Sequence, residues 1–249
     1  MKILLSLLIG LTSTYAMDKT ICGPSDDRVP SSVKEIGRLL DSRTGTGGCT
    51  LTMISDNCGI SAGHCRSVLY IAEFNTPESM NGSIQHSKPE DVYEIDQSTI
   101  EYRNGGPGDD WAVFKVKAND ITGKSAGAAQ GYYNVSFDEP TIGTPLSITG
   151  YGLDRNEPTK NLAQQTHDGA LASIGDGGWY GRSESVLGHT VDTMGGNSGS
   201  TIINMETGSI VGIHTHGGCS ARGGNNQGTL IAKHSNLMRA IRSCLDSDK

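Results

Sequence analysis

Aromatic side chains are scarce in this chain, with two Trp, eight Tyr and three Phe in 249 residues. Basic charge is scarce too: 20 Lys and Arg face 27 Asp and Glu, a formal charge of −7, and no basic run occurs, with or without interleaved aromatics. Nucleic-acid binding, which needs a cationic footprint, is therefore not expected. Long apolar runs are missing as well. The one apolar stretch, Ile3 to Leu11, is too short to cross a bilayer of about 30 Å as a helix, so no membrane partner is expected. Internal repeats and low-complexity tracts are absent, and helical periodicity is nearly absent before the C-terminus.

That apolar stretch follows Lys2 and precedes the small residues Thr14 and Ala16, a pattern that reads as a secretory signal peptide over residues 1–16. The mature chain would then begin at Met17, outside the cell or in a periplasm, with 19 basic against 27 acidic side chains and a formal charge of −8. Six cysteines in an exported chain suggest three disulfides. A zinc site at Cys58, His64 and Cys65 has suitable ligand types but lacks paired CxxC spacing, and no metal or other cofactor is expected.

Many short apolar segments lie between clusters of Gly, Asn, Asp and Pro, with 34 glycines in all. This is the pattern of an all-β protein. Candidate strands are Cys49 to Ser55, Ser67 to Phe74, Trp111 to Val116, Leu146 to Thr149, Ser200 to Asn204 and Ile210 to His214. The polar, Gly/Ala-rich stretch from Asn119 to Gly131 suits a linker. Near the end, Leu237, Ile241, Cys244 and Leu245 recur at helical spacing, predicting an amphipathic helix over about 235–246 with Ser235 or Asn236 as its N-cap.

Three segments carry chemistry: Ser61-Ala62-Gly63-His64-Cys65, Asp109-Asp110-Trp111-Ala112-Val113 and Gly196-Asn197-Ser198-Gly199-Ser200. A serine hydroxyl is a weak nucleophile at neutral pH. It needs an imidazole to take its proton and a buried carboxylate to hold that imidazole's tautomer. His64, Asp110 and Ser198 supply the three groups, with Asp109 as the alternative acid. The glycines around Ser198 permit a tight turn in which the amides of Gly196 and Ser198 converge on one oxyanion.

Order, spacing and local context resemble the chymotrypsin-like serine peptidases, from about Gly47 to about Ala232. The resemblance implies two six-stranded antiparallel β-barrels, over about 30–122 and 130–234, with the helix behind them and the site between them. A monomer acting on protein or peptide substrates follows. It also implies a Cys49–Cys65 disulfide stapling the histidine loop. The other cysteines, Cys22, Cys58, Cys219 and Cys244, leave three pairings open.

Gly196-Asn197-Ser198-Gly199-Ser200 is most similar to the V8-like glutamyl endopeptidase branch, and Thr193 with Gly212-Ile213-His214-Thr215 extends the match. That resemblance implies that Thr193 and His214 hold a glutamate carboxylate, since a carboxylate leaving water needs donors. Thr215 to Gly217 would pair with substrate backbone, Gly217 leaving the entrance open. The branch also places its mature amino terminus near this pocket, so trimming near Ile21, with Cys22-Gly23-Pro24 anchoring the arm, stands beside cleavage after Ala16. Two alternatives remain. Asp192 lies where trypsin-like enzymes bind Arg or Lys, and a peptidase fold can also serve as a catalytically silent binding protein. His86, His167, His189 and His234 read as surface or structural, and His216 as either pocket rim or solvent-facing.

Overall fold

The computed structural model describes residues 20–175 and 184–248. The expected signal peptide lies outside the described residues.

After a two-residue strand β1 (Val29–Pro30), the first barrel is built from β2 (Ile36–Leu40), β3 (Cys49–Met53), β4 (Cys58–Ser61), β5 (Ile71–Glu73), β6 (Val92–Asn104) and β7 (Asp110–Val116). They close in the order β2-β3-β4-β7-β6-β5. A short helix α1 (Ala126–Gln130) follows. The second barrel comprises β8 (Pro145–Gly150), β9 (Gln165–Ile174), β10 (Val186–His189), β11 (Thr201–Asn204), β12 (Ser209–His216) and β13 (Asn226–Leu230), and α2 (Ser235–Asp246) ends the chain. Its strands run β9-β10-β13-β12-β11-β8, β8 pairs back onto β9 to close the ring, and β1 is added outside β9. The all-β, two-barrel expectation therefore holds.

Two sequence expectations are corrected. The segment read as a strand from Ser67 begins instead as a short helical turn over Gly63–Val68, leaving only Ile71–Glu73 extended. The stretch read as a linker does connect the barrels, between β7 and β8, and contains α1, whose Gly127 packs so closely on the backbone of Ser55 and Asp56 that no side chain would fit. The cap of α2 is also different: His234 takes that role, its Nδ1 accepting from Leu237 N at 3.1 Å.

One apolar cluster fills the first barrel with Leu51, Ile60, Phe74, Trp111 and Phe114, and continues through Ile213 and Ile231 to Leu237 and Ile241 of α2. A second, with Leu146, Ile148, Leu187, Ile202 and Val211, fills the other barrel. Each buried Leu or Ile contributes roughly 1.5–3 kcal/mol of transfer free energy. Because the first cluster runs across both barrels, the cleft between them is held by the core itself. Disulfides join Cys49–Cys65, Cys22–Cys219 and Cys58–Cys244. The first is the pair implied by the resemblance. The other two tie the N-terminal arm to the second barrel and α2 to the first.

Candidate active site

Ser61↔Ala112 and Ile60↔Val113 are cross-strand partners in β4 and β7, so the residue leaving β4 and the residue opening β7 come together. There, His64 Nδ1 and Asp110 Oδ2 are 2.5 Å apart, while Asp110 Oδ1 accepts the backbone N–H of Gly63 at 2.7 Å and of His64 at 2.9 Å. The Asp110 side chain is fully buried. With three donors on it, the carboxylate keeps a proton on His64 Nδ1 and leaves Nε2 as a base. From the second barrel, the Thr229 hydroxyl donates to Asp110 O at 2.9 Å. Asp109 is directed elsewhere, to Arg103 at 2.8 Å and His234 at 2.9 Å.

Ser198 follows a glycine turn with Gly196 at φ 105° and precedes Gly199 at φ 86°, a left-handed conformation that favours glycine. A Cβ at Gly199 would also strike Ser61 Oγ and Thr50 O of the first barrel. Thr50 N donates to Ser198 O at 2.9 Å, which presses the serine turn onto β3 beside the Cys49–Cys65 disulfide. Among the described residues no hydrogen bond joins the Ser198 side chain to His64. A serine, an oriented imidazole and a glycine turn can together run base-assisted nucleophilic attack and stabilise the resulting oxyanion.

Beside Ser198 lies a recess of about 340 Å³, lined by Thr20, Leu153, Arg155, Met194, Gly195, His214, Thr215, His216 and Gly217. The pairing of β12 with β13 shifts register between His214 and His216, and the three successive residues His214, Thr215 and His216 all border the recess. Among the described residues that line the recess there is no carboxylate. A larger recess of about 460 Å³ lies against α2 and holds none of the candidate catalytic groups.

His214 is buried, and its Nδ1 lies 3.1 Å from Nε2 of His189, which is itself wholly enclosed by the second barrel. Val191 N–H donates to His189 Nδ1 at 3.3 Å. His189 therefore carries its proton on Nε2 and donates it to His214 Nδ1, so the His214 proton sits on Nε2. Burial pushes the His189 pKa down to about 3. Burial, then the imidazoles of His189, His216 and His64, push that of His214 well below the ordinary histidine value. Both rings are neutral at pH 7, and His214 presents an N–H donor.

Two expected pocket residues stand differently. Asp192 is not among the residues lining the recess: its Oδ1 accepts from Cys22 N at 2.6 Å and its Oδ2 from Asp27 N at 3.0 Å, so the carboxylate anchors the N-terminal arm. Both oxygens are thus already engaged by backbone donors of the arm, which speaks against the cation-receptor reading. Thr193 is covered by Thr20, whose hydroxyl donates to Thr193 O and whose carbonyl accepts from Thr193 N at 3.2 Å and Asn226 Nδ2 at 2.6 Å. The Thr20 side chain also lies where a Cβ on Gly217 would fall.

Sequence reasoning missed His189 and left His216 undecided. His189 is two residues from the core residue Leu187, and alternation along β10 was the signal that it points inward. His216 lies with its ring centroid 5.8 Å from that of His64 and its Nδ1 4.0 Å from Asp110 Oδ2.

The Trypsin family profile matches residues 33–241. Among solved structures, the chain is similar to a Glu endopeptidase in complex with MPD (TM-score 0.64, 22% identity, covering 90% of this chain and 99% of that one). It is also similar to AL20, a thermostable serine protease from an extremophilic microorganism (0.62, 15%, 86% and 98%). A third likeness is to the protease Anisep from Arthrobacter nicotinovorans (0.62, 16%, 87% and 97%). At these identities the likeness is one of fold. No curated protein matches the sequence.

Proposed function

The chain belongs to the trypsin family, and on that premise we propose that it is an exported serine endopeptidase that cleaves after glutamate. Ser198 attacks the scissile carbonyl and His64 takes its proton and returns it to the leaving amine. Asp110 holds the His64 tautomer and stabilises the imidazolium, while the amides of Gly196 and Ser198 receive the oxyanion. An acyl-enzyme on Ser198 is then hydrolysed by water. Three disulfides accord with an extracellular protein.

The observation that carries the glutamate preference is the histidine pair. His189 sets the tautomer that leaves His214 with a donor N–H, in a recess beside Ser198 whose lining, among the described residues, has Arg155 and no carboxylate. A glutamate carboxylate entering there meets donors, and an arginine would meet donors too and be disfavoured. Thr193 joins His214 only when Thr20 is gone, so this reading takes Ile21 as the mature N-terminus, with the arm still held by Cys22–Cys219.

The test uses the protein trimmed to Ile21 and matched fluorogenic peptides with Glu, Asp, Arg, Phe or Ala before the scissile bond. Preference for Glu, lost in His214→Ala and reduced in Thr193→Val, supports the reading, and preference for Arg removes it. Failure of a phosphonofluoridate probe to label Ser198 would favour a silent binding protein.

A further inference from the structure

Arg28 has no task in the mechanism above. It ends the N-terminal arm just before β1, and its side chain is 2% exposed. A guanidinium taken out of water is destabilising unless its donors are used. Nε and Nη2 donate to Asp26 at 2.9 and 2.6 Å, and Nη2 also donates to Leu153 O at 2.9 Å. Nη1 is buried and has no hydrogen-bond partner among the described residues. A Cβ on Gly152 would strike both this nitrogen and Asn197 Oδ1, so the guanidinium reaches the gap beside the residue that precedes Ser198.

Leu153 carries the connection onward. Its N–H donates to Gly195 O at 2.8 Å. In a trans peptide the C=O and N–H point in opposite directions. With Gly195 O held on the Leu153 side, the N–H of Gly196 in the same peptide unit is aimed the other way. Glycines flank that peptide on both sides and offer little torsional resistance to its flipping, so its orientation depends on what holds the carbonyl. On the other side of the turn, Asn197 Oδ1 accepts from Met194 N at 2.9 Å, and Asp192 is tied to the arm through Cys22 N and Asp27 N.

We infer that Arg28 is a positioning residue for the oxyanion hole. By anchoring Leu153 O it keeps Leu153 N–H on Gly195 O, and so keeps Gly196 N–H presented to the reacting carbonyl oxygen. The arm thus clamps the loop from two sides, through Asp192 and through Leu153. This inference rests on the serine-peptidase reading.

The experiment compares Arg28→Gln and Arg28→Lys with the parent in the trimmed protein, measuring kcat, KM, thermal midpoint and inhibition by a peptide aldehyde of the preferred sequence. The aldehyde forms a hemiacetal on Ser198 whose oxygen needs the oxyanion donors. Losing the effect of one such donor lowers kcat by on the order of 10²-fold. The expected result is that loss in both variants with KM within about threefold, and a matching loss of aldehyde affinity. Lysine does not rescue, because a single ammonium cannot span Asp26 and Leu153 O. Parent-level kcat in either folded variant overturns the inference, as does a lower kcat with unchanged aldehyde affinity. Loss of folding in both variants overturns it too, since Arg28 would then support the whole domain rather than one peptide. An inactive parent enzyme instead removes the serine-peptidase reading.

Discussion

Acid should destabilise this protein through His189, and the size of the effect follows from its burial. The ring is enclosed by the second barrel and its pKa is pushed down to about 3, whereas an unfolded histidine titrates near 6.5. The folded-state value is depressed, so below pH 6.5 the unfolded chain binds a proton that the folded chain refuses. Stability is therefore full above pH 6.5 and is lost as pH falls toward 3. For His189 alone the loss by pH 5 is about 2 kcal/mol, and His214 adds to it in the same direction. His189→Gln isolates the effect. Its carbonyl oxygen can accept from Val191 N and its amide can donate to His214 Nδ1, as the neutral imidazole does, but it does not titrate. The assay is urea unfolding at pH 7 and pH 5 in a Ser198→Ala background, which prevents self-digestion. The parent should lose about 2 kcal/mol more than the variant between the two pH values, and equal losses would refute the reasoning. Glu preference should survive His189→Gln and fall in His189→Leu, which strands Val191 N–H and His214 Nδ1 at about 1–3 kcal/mol.

Asp110→Asn should lower kcat roughly 10⁴-fold on a Glu peptide, while Asp109→Asn, whose carboxylate pairs with Arg103 and His234, should stay within a few-fold. Comparable losses in the two would unseat Asp110. Trimming through Thr20 should raise kcat/KM for Glu peptides, because Thr20 lies over Thr193 and against Gly217; identical activity of trimmed and untrimmed chains would show that Thr20 does not block the recess. Asp192→Asn should keep the parent's cleavage preference yet lower the thermal midpoint, since two backbone N–H groups lose a charged acceptor, at about 1–3 kcal/mol. A change in Arg cleavage there would restore the cation-receptor reading.

The outcomes at Asp192 and Thr193 share one cause. Alternation and turn residues reveal a strand because they are local, but whether a polar side chain faces a ligand depends on what else arrives beside it. Asp192 lies in sequence where trypsin-like enzymes bind Arg or Lys, but the arm brings Cys22 N and Asp27 N to its oxygens. Thr193 has the residue type a carboxylate pocket needs, yet Thr20 lies against it in the untrimmed chain. The strand expected from Ser67 failed locally, as the chain after His64 turns through a short helical segment before β5.

Sequence by itself determined the all-β class, the closing helix, the His64, Asp110 and Ser198 candidates in their order, and the glycines that Ser198 requires. These rest on residue type and short spacing, which any observer of the chain can read. Tertiary structure decided the pairing of Cys22 with Cys219 and Cys58 with Cys244, the separate tasks of Asp109 and Asp110, the His189–His214 pair and the reach of Arg28 to Leu153. Each joins residues that stand on different strands, loops or helices, and only the folded barrels, the arm and α2 bring them into contact.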